Sequence, residues 1–527
     1  MQHSSPLLVG TIACACGGGD GHVTDAGGGV PAVDFPAFAL GVEYTSPGLG
    51  PVYGATGVRW AKTWLEAFSW GAIEPSAPSG NIHTYSWTNT DAMIRDYQSA
   101  GVTHIQSYLG SSSPWGSRSS RDAMPKPERM ADYRAWVRAL IERYDGDGID
   151  DMPGLVEPVR YWVVGGEWSG FWGSDNPQDY LELLDATREE ARSASADTKL
   201  GAIPFLLIDV FQGNDPTAAE VEQRLVDPPP GFRNSTAGMR AILDRPDLFD
   251  FVDVHSLGDY TELPPLLTWF RAQMTARGYA KPIWIDDAFP MSFLANYHPS
   301  PNVGWPAMYP VTEQTYPEVY DLLVDVAKLQ EPAYTPAARW IRAETASGLV
   351  KKVVTALGEG AVGIQIGNTE DWMHDALGGA RHLTVNLIGA AAMMGLVDVT
   401  HAGGYAPGDM RIAGPPRPAY DNLRLLVEKF GDGRFDNIER IETAGVRGYR
   451  FVRGSVSSWV IWHEDDVLQL PPAVETPVAV TLPVPDGVAS VTVTHALTEP
   501  GSALIETVAA ESGSIPLELT STPVFIE

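Results

Sequence analysis

Cysteine is almost missing from this chain of 527 residues: Cys14 and Cys16 are the only two. Beyond them there is no disulfide, no cysteine nucleophile and no cysteine-ligated metal to consider. Basic residues are scarce as well, with 36 Lys and Arg against 66 Asp and Glu, a formal net charge of −30. Such a surface repels nucleic acid phosphates and anionic membranes and favours neutral or cationic partners. No apolar run approaches the roughly 20 residues of a membrane-spanning helix. The 11 histidines include no H-E-x-x-H or comparable spacing, which leaves a catalytic zinc without support. A P-loop and a dinucleotide fingerprint are absent too, so no cofactor is expected for catalysis.

What is present suffices for a large core: 44% of residues are hydrophobic and 10% aromatic, and the length exceeds the roughly 250 to 300 residues at which one core stops growing. Short β-branched runs recur from residue 36 to 432, namely "FALGVEY", "GVRWAKTW", "VTHIQSYL", "VRYWVVG", "KLGAIPF", "FVDVHSL", "KPIWIDD" and "AVGIQIG". Between them lie segments with apolar residues at three and four spacing, such as "MADYRAWVRALIERYDG" and "PQDYLELLDATREEARSA". Strand and helix alternating eight times predicts a (β/α)8 TIM barrel, whose chemistry sits where strands end. Over residues 433–527 the pattern changes to alternating runs such as "SSWVIWHED" and "SVTVTHALTEPG", separated by Gly, Pro and Asp. That predicts a small all-β sandwich.

Residues 1–35 hold a short apolar run from Pro6 to Ala13, the two cysteines and a glycine-rich tether. They are similar to a bacterial lipoprotein signal, with Cys14 or Cys16 as the lipid carrier. The resemblance implies a protein anchored to the cell envelope or secreted, touching the membrane only through that anchor.

Within "YWVVGGEWSGFW" the fourth predicted strand ends in Glu167, hemmed in by glycines and rings. "FSWGAIEPSAPSGNIHTYSWTNTDAMIRDYQSAGVTHI", "FVDVHSLGDY", "KPIWIDDAFP" and "RPAYDNLRLLVEKFGD" follow one another in the order and spacing of clan A glycoside hydrolases. The chain resembles that group of retaining barrel enzymes over roughly Phe38 to Glu527. The resemblance implies an acid/base glutamate after strand four, Glu167, and a nucleophile after strand seven. "KPIWIDD" is similar to the family's P-I-W-x-x-E, so the nucleophile position is Asp287, an aspartate where the family has glutamate. Gly166 stands where the family has the asparagine that binds a sugar hydroxyl. His255 in "FVDVHSL" would line the site.

Cleaving a glycosidic bond needs one protonated and one ionised carboxyl flanking it. Trp168, Phe171 and Trp172 can lower polarity around Glu167 and raise its affinity for the proton; Trp168 and Trp172 can also stack on a sugar. On an extended strand Asp286 and Asp287 point to opposite sides. Losing one methylene withdraws the carboxylate by up to about 1.5 Å, which would open a retaining separation of about 5.5 Å to about 7 Å and admit a water. Asp287 is therefore either a short nucleophile or a base for water. The alternative from another class is a carbohydrate-binding surface lipoprotein on a barrel that has lost its chemistry.

Trp64, Trp70, Trp115 and Trp372 fall near predicted strand ends, where rings stack on sugars. Arg59 on strand two would orient a carboxylate or pair with a barrel acid. In "RYDGDGIDDMPGL" Asp145, Asp147 and Asp150 or Asp151 offer hard oxygen ligands for a structural Ca²⁺, or form a tight acidic turn.

Overall fold

The computed structural model describes residues 35–43, 47–119, 122–168, 176–207, 210–213, 215–226, 236–290, 309–312, 314–328, 334–367, 369, 395–401, 411–431, 433–443, 445–464 and 467–527. Nine parallel segments form one sheet: β1 (Ala39–Glu43), β2 (Trp60–Lys62), β3 (His104–Leu109), β4 (Tyr161–Val164), β5 (Lys199–Gly201), β6 (Phe205–Leu206), β7 (Val252–His255), β8 (Ile283–Ala288) and β9 (Gly363–Ile366). Their order is β5-β4-β3-β2-β1-β9-β8-β7-β6. The two ends of that order belong to one broken strand. Pro204, which has no N–H to give a ladder, lies in the gap, and Gly201 bridges Phe251 while Ala202 N–H donates to Phe251 O at 3.1 Å. The sheet thus curls into a closed (β/α)8 barrel whose eight strands are the eight runs read from the sequence.

The helices between strands are amphipathic for the reason their spacing suggests. Met130–Tyr144 buries Tyr133, Trp136, Val137, Leu140, Ile141 and Tyr144, one stripe at three and four spacing. Each such side chain adds about 2 kcal/mol of apolar burial, set against the entropy of ordering the chain. Pro177–Ala194 starts where Asn176 accepts the Gln178 N–H and proline takes the first helical position. Among the described residues no helix is long and apolar enough to cross a membrane.

Inside the barrel the side chains stack in layers. Trp60, His104, Tyr161, Phe251 and Trp284 fill the N-terminal end, with ring centroids 4.8 to 6.4 Å apart. Glycines opposite make room: a Cβ on Gly201 would lie 2.6 Å from the Phe251 ring, and one on Gly363 2.6 Å from Trp284. The next layer is polar, with Lys62, Gln106, Asp253, Asp286 and Gln365 all at 0% exposure. Glu43, Tyr108, His255, Glu167 and Asp287 lie above it at the C-terminal mouth.

Toward the C-terminus, Asn437–Thr443, Val446–Arg453, Val456–His463, Val524–Ile526, Ser490–His495 and Ile505–Ala509 form a six-stranded antiparallel sheet, and Val478–Pro483 pairs with Ser514–Leu519. Trp459, Ile461, Val491 and Val493 of the larger sheet share a core with Leu482, Ile515 and Leu517 of the smaller, as in a sandwich. These sheets and the barrel belong to one compact unit, Pro36–Glu527. Tyr449 packs where a Cβ on Gly358 would lie 2.3 Å from its ring. Asn422, buried in the helix Pro418–Phe430, donates to Ala346 O and Leu497 O and accepts the Leu497 N–H.

Candidate active site

Glu167 stands three residues beyond β4, on a turn that begins with Gly165 at φ +89°. A left-handed residue at that point favours glycine, which explains part of the glycine setting noticed in the sequence. The Trp168 N–H donates to Pro204 O at 2.9 Å and holds the turn across the barrel rim. From β7, His255 Nδ1 lies 2.8 Å from Glu167 Oε1 and 3.8 Å from Asp287 Oδ2. One polar atom each from Glu167, His255 and Asp287 fall within 4.8 Å of one another. The barrel therefore brings together the three residues that the sequence placed after strands four, six and seven.

Asp287 does not occupy an ordinary strand position. Its φ is +42°, and the pairing of β8 with β9 slips between Ile285 and Ala288. A non-glycine residue held there costs on the order of 1 kcal/mol. The expectation that Asp286 and Asp287 point to opposite sides assumed an extended strand, and it fails here. Asp286 meets Lys62 Nζ at 2.8 Å and Gln106 Nε2 at 2.7 Å in the interior, while Asp287 turns toward His255. The bulged backbone carries the shorter side chain inward, so that one Asp287 oxygen comes within 4.8 Å of a Glu167 oxygen.

Burial opposes the charge on His255, but its hydrogen bond to Glu167 and the charge of Glu167 outweigh it and raise the pKa to about 9. At neutral pH the ring is cationic and Nδ1–H donates to Glu167. Burial pushes Asp287 up to about 8, with His255 opposing and Glu43 and Glu167 adding. His255 Nε2 and Asp287 Oδ1 are buried without a protein partner among the described residues; in a working site such atoms meet substrate or water.

Sequence reasoning missed the residues beneath this cluster. Lys62 Nζ sits 3.3 Å from Glu43, 3.4 Å from Asp253 and 2.8 Å from Asp286, and 4.2 Å over the Tyr108 ring. Burial opposes that charge, yet Asp253, Asp286 and Glu43 together hold the Lys62 pKa above its ordinary value. Burial also raises Glu43, against the pull of Lys62, and raises Asp253, with Asp286 adding. Lys352 braces the turn after His255 by donating to Ser256 O and Gly258 O at 2.7 Å each. Strand alternation counted inward from Trp60 would have exposed Lys62; nothing in the sequence pointed to Lys352.

The sequence-assigned cation was Arg59, and that is corrected. Arg59 precedes β2 at the far end of the barrel, is exposed, and has Thr103 Oγ1 at 3.5 Å. Parallel strands carry it to the mouth opposite the carboxyls, so Lys62 is the strand-two cation. Trp168 is corrected as a stacking ring: it is 1% exposed and edge-on to Tyr180, so no face is open to a sugar. Trp70 is fully buried, and Trp115 packs 4.7 Å from it while its indole N–H donates to Glu74 O. These contacts tie both rings to loop packing. Trp64 is partly buried two residues past β2, on the side of the mouth. Trp172, Phe171, Trp372, Cys14 and Cys16 lie outside the described residues.

At the opposite end, between the helix Met130–Tyr144 and β4, one oxygen from each of Asp145, Asp147 and Asp151 falls within 4.8 Å of the others. The same carboxyls accept backbone N–H groups of Gly146, Asp147, Gly148 and Ile149 at 2.7 to 3.3 Å, as in a tight acidic turn. A cleft also opens between the turn after β7, Pro290, Glu344, Lys351 and Glu464. Its walls include none of Glu167, His255 or Asp287.

No protein-family model and no curated protein matches the chain. Solved structures do share its fold. A family 39 glycoside hydrolase from the gut symbiont Bacteroides cellulosilyticus WH2 is 12% identical with a TM-score of 0.54, the match covering 93% of this chain and 81% of that one. The GH39 enzyme from Xanthomonas axonopodis pv. citri is 12% identical with a TM-score of 0.52, over 94% and 95% of the two chains. CelM2, a bifunctional glucanase-xylanase from a metagenome library, is 9% identical with a TM-score of 0.50, over 93% and 96%. The chain has the (β/α)8 barrel fold of these glycoside hydrolases, which is the fold implied by the clan A resemblance.

Proposed function

We propose that the protein hydrolyses O-glycosidic bonds of an oligo- or polysaccharide with retention of configuration, Glu167 serving as general acid/base and Asp287 as nucleophile. One observation carries this: the two carboxyls face each other beside His255, one oxygen of each within 4.8 Å of the other, at the C-terminal mouth of the barrel. Retaining pairs stand about 5 to 5.5 Å apart and inverting pairs about 6.5 to 9.5 Å, so the spacing favours a nucleophile over a base for water. For the roles to be taken up, Asp287 must be ionised and Glu167 protonated. His255 lies between them, positioned to pass that proton as the sugar displaces water. The reaction so written draws on no cofactor.

Reducing-sugar release by the protein lacking residues 1–35, across a polysaccharide panel, tests the proposal beside Glu167→Gln and Asp287→Asn. Release by the wild type, lost in both variants, with the β- or α-anomer of the substrate kept in the first product seen by NMR, is the expected result. Binding without release on the whole panel would sink it in favour of a carbohydrate-binding protein. The signal-like segment with Cys14 and Cys16 supports attachment to the cell envelope, which labelling with a radioactive fatty acid would test.

A further inference from the structure

An aspartate stands where the resemblance expects a glutamate, and its carboxyl nevertheless reaches the Glu167 side of the cleft. The backbone supplies the missing length. In a regular β8, Trp284 and Asp286 face the barrel axis and residue 287 would face the helices. The slipped pairing and the left-handed Asp287 turn that residue inward.

Two features hold this irregular backbone. The Asp287 N–H, which the bulge removes from the ladder, donates to Glu43 Oε2 at 2.6 Å. Glu43 is itself held, with Tyr108 OH donating to its other oxygen at 3.0 Å and Lys62 Nζ 3.3 Å away. On the opposite side is Gly367, the residue after β9. A Cβ there would lie 2.5 Å from Asp287 Oδ1, 3.0 Å from its Cα and 3.1 Å from its carbonyl carbon. Two of those three contacts are with backbone and cannot give by a rotamer change.

We infer that Glu43, braced by Lys62 and Tyr108, and Gly367 are positioning residues that let an aspartate do the work expected of a glutamate. Glu43 holds the bulge by its N–H, and Gly367 leaves the space into which the bulge folds. Their consequence for catalysis rests on the hydrolase assignment above; their hold on the backbone does not.

The test uses the folded chain as wild type, Glu43→Ala, Glu43→Gln and Gly367→Ala, with two readouts. Hydrogen exchange of the peptide spanning residues 284–290 reports the bulge, and steady-state kinetics on the panel substrate report the reaction. Glu43→Ala removes the acceptor, so exchange at the Asp287 N–H is expected to quicken by at least about tenfold. A carboxyl displaced by about 1 Å is expected to lower kcat by roughly 100-fold while KM stays within about threefold. Glu43→Gln keeps an acceptor oxygen and restores the slow exchange. It also removes a negative charge beside Asp287, so the acid limb of kcat/KM moves to lower pH, which a purely structural role would not do. Gly367→Ala is expected to lower kcat as Glu43→Ala does.

Wild-type exchange and wild-type kcat in both Glu43→Ala and Gly367→Ala would overturn the inference. If Glu43→Ala fails to fold, wild-type exchange and wild-type kcat in Gly367→Ala do the same. A wild type that hydrolyses nothing would remove the proposed function, while the exchange of the Glu43 variants would still decide whether Glu43 holds Asp287.

Discussion

Lys62→Met is the perturbation that reads the barrel interior most directly. The ammonium lies within 3.4 Å of three carboxylates, Glu43, Asp253 and Asp286, with both partners of each pair at 0% exposure. Methionine matches the length of the chain and removes only the charge, leaving three buried carboxyls without a counter-ion. Breaking a buried pair in this way costs about 3 to 5 kcal/mol. The carboxyls answer by keeping protons, so the cost depends on pH. Glu43 and Asp253 already have pKa values raised by burial in the folded protein. A carboxyl raised on folding contributes stability below its unfolded pKa of about 4 and loses it as pH rises through the folded value. Without Lys62 those folded values climb further. The destabilisation should therefore be small near pH 4 and approach the full 3 to 5 kcal/mol near pH 8. Urea unfolding of wild type and variant at pH 4.5, 6 and 8, with equal m-values, measures it. A cost under about 1 kcal/mol at pH 8, or one that grows as pH falls, would refute the account of Lys62 as the counter-ion of this layer.

The remaining expectations are simpler. Asp287 acts ionised and its carboxyl is pushed up to about 8 in the free protein, so kcat/KM should rise as pH rises through that range; a profile already flat above pH 5 would contradict it. Asn422→Ala deletes three buried hydrogen bonds that tie the helix Pro418–Phe430 to Ala346 and Leu497. At about 1 kcal/mol each plus stranded partners, roughly 3 kcal/mol should be lost, seen as a lower urea midpoint and faster proteolysis near residue 497. Leu140→Ala empties a fully buried site and should cost about 2 to 5 kcal/mol without changing KM. Asp287→Glu lengthens a side chain whose backbone is already bulged inward, so kcat should fall, not rise, with the crowding estimated at about 1 to 3 kcal/mol.

Much of the site was legible because it is local. Glu167 ends a strand run and follows a glycine pair; His255 ends another; Asp287 follows the third, and all three meet at the mouth. Residue type alone puts Arg59 at the site, whereas strand register does not. Counting alternation along "RWAKTW" puts Trp60 and Lys62 on one face and leaves Arg59 off it. A ring beside a catalytic candidate, as Trp168 is, serves packing as readily as sugar stacking, and only its contact with Tyr180 separates the two.

Periodicity and strand-end chemistry, both properties of short stretches, settled the barrel, the sandwich and the approximate address of the carboxyls. Hydrophobic spacing of two or of three and four is imposed by how each element buries one face, so it can be read without knowing the neighbours. What tertiary structure alone decided is the direction of Asp287, the charge beneath it and the room beside it. These depend on residues 43, 62, 108, 253 and 367, which become neighbours only when the first and last strands of the sheet close on each other. A bulge held by a carboxylate some 240 residues away leaves no periodic mark, because its cause lies in contact across the barrel and not along the chain.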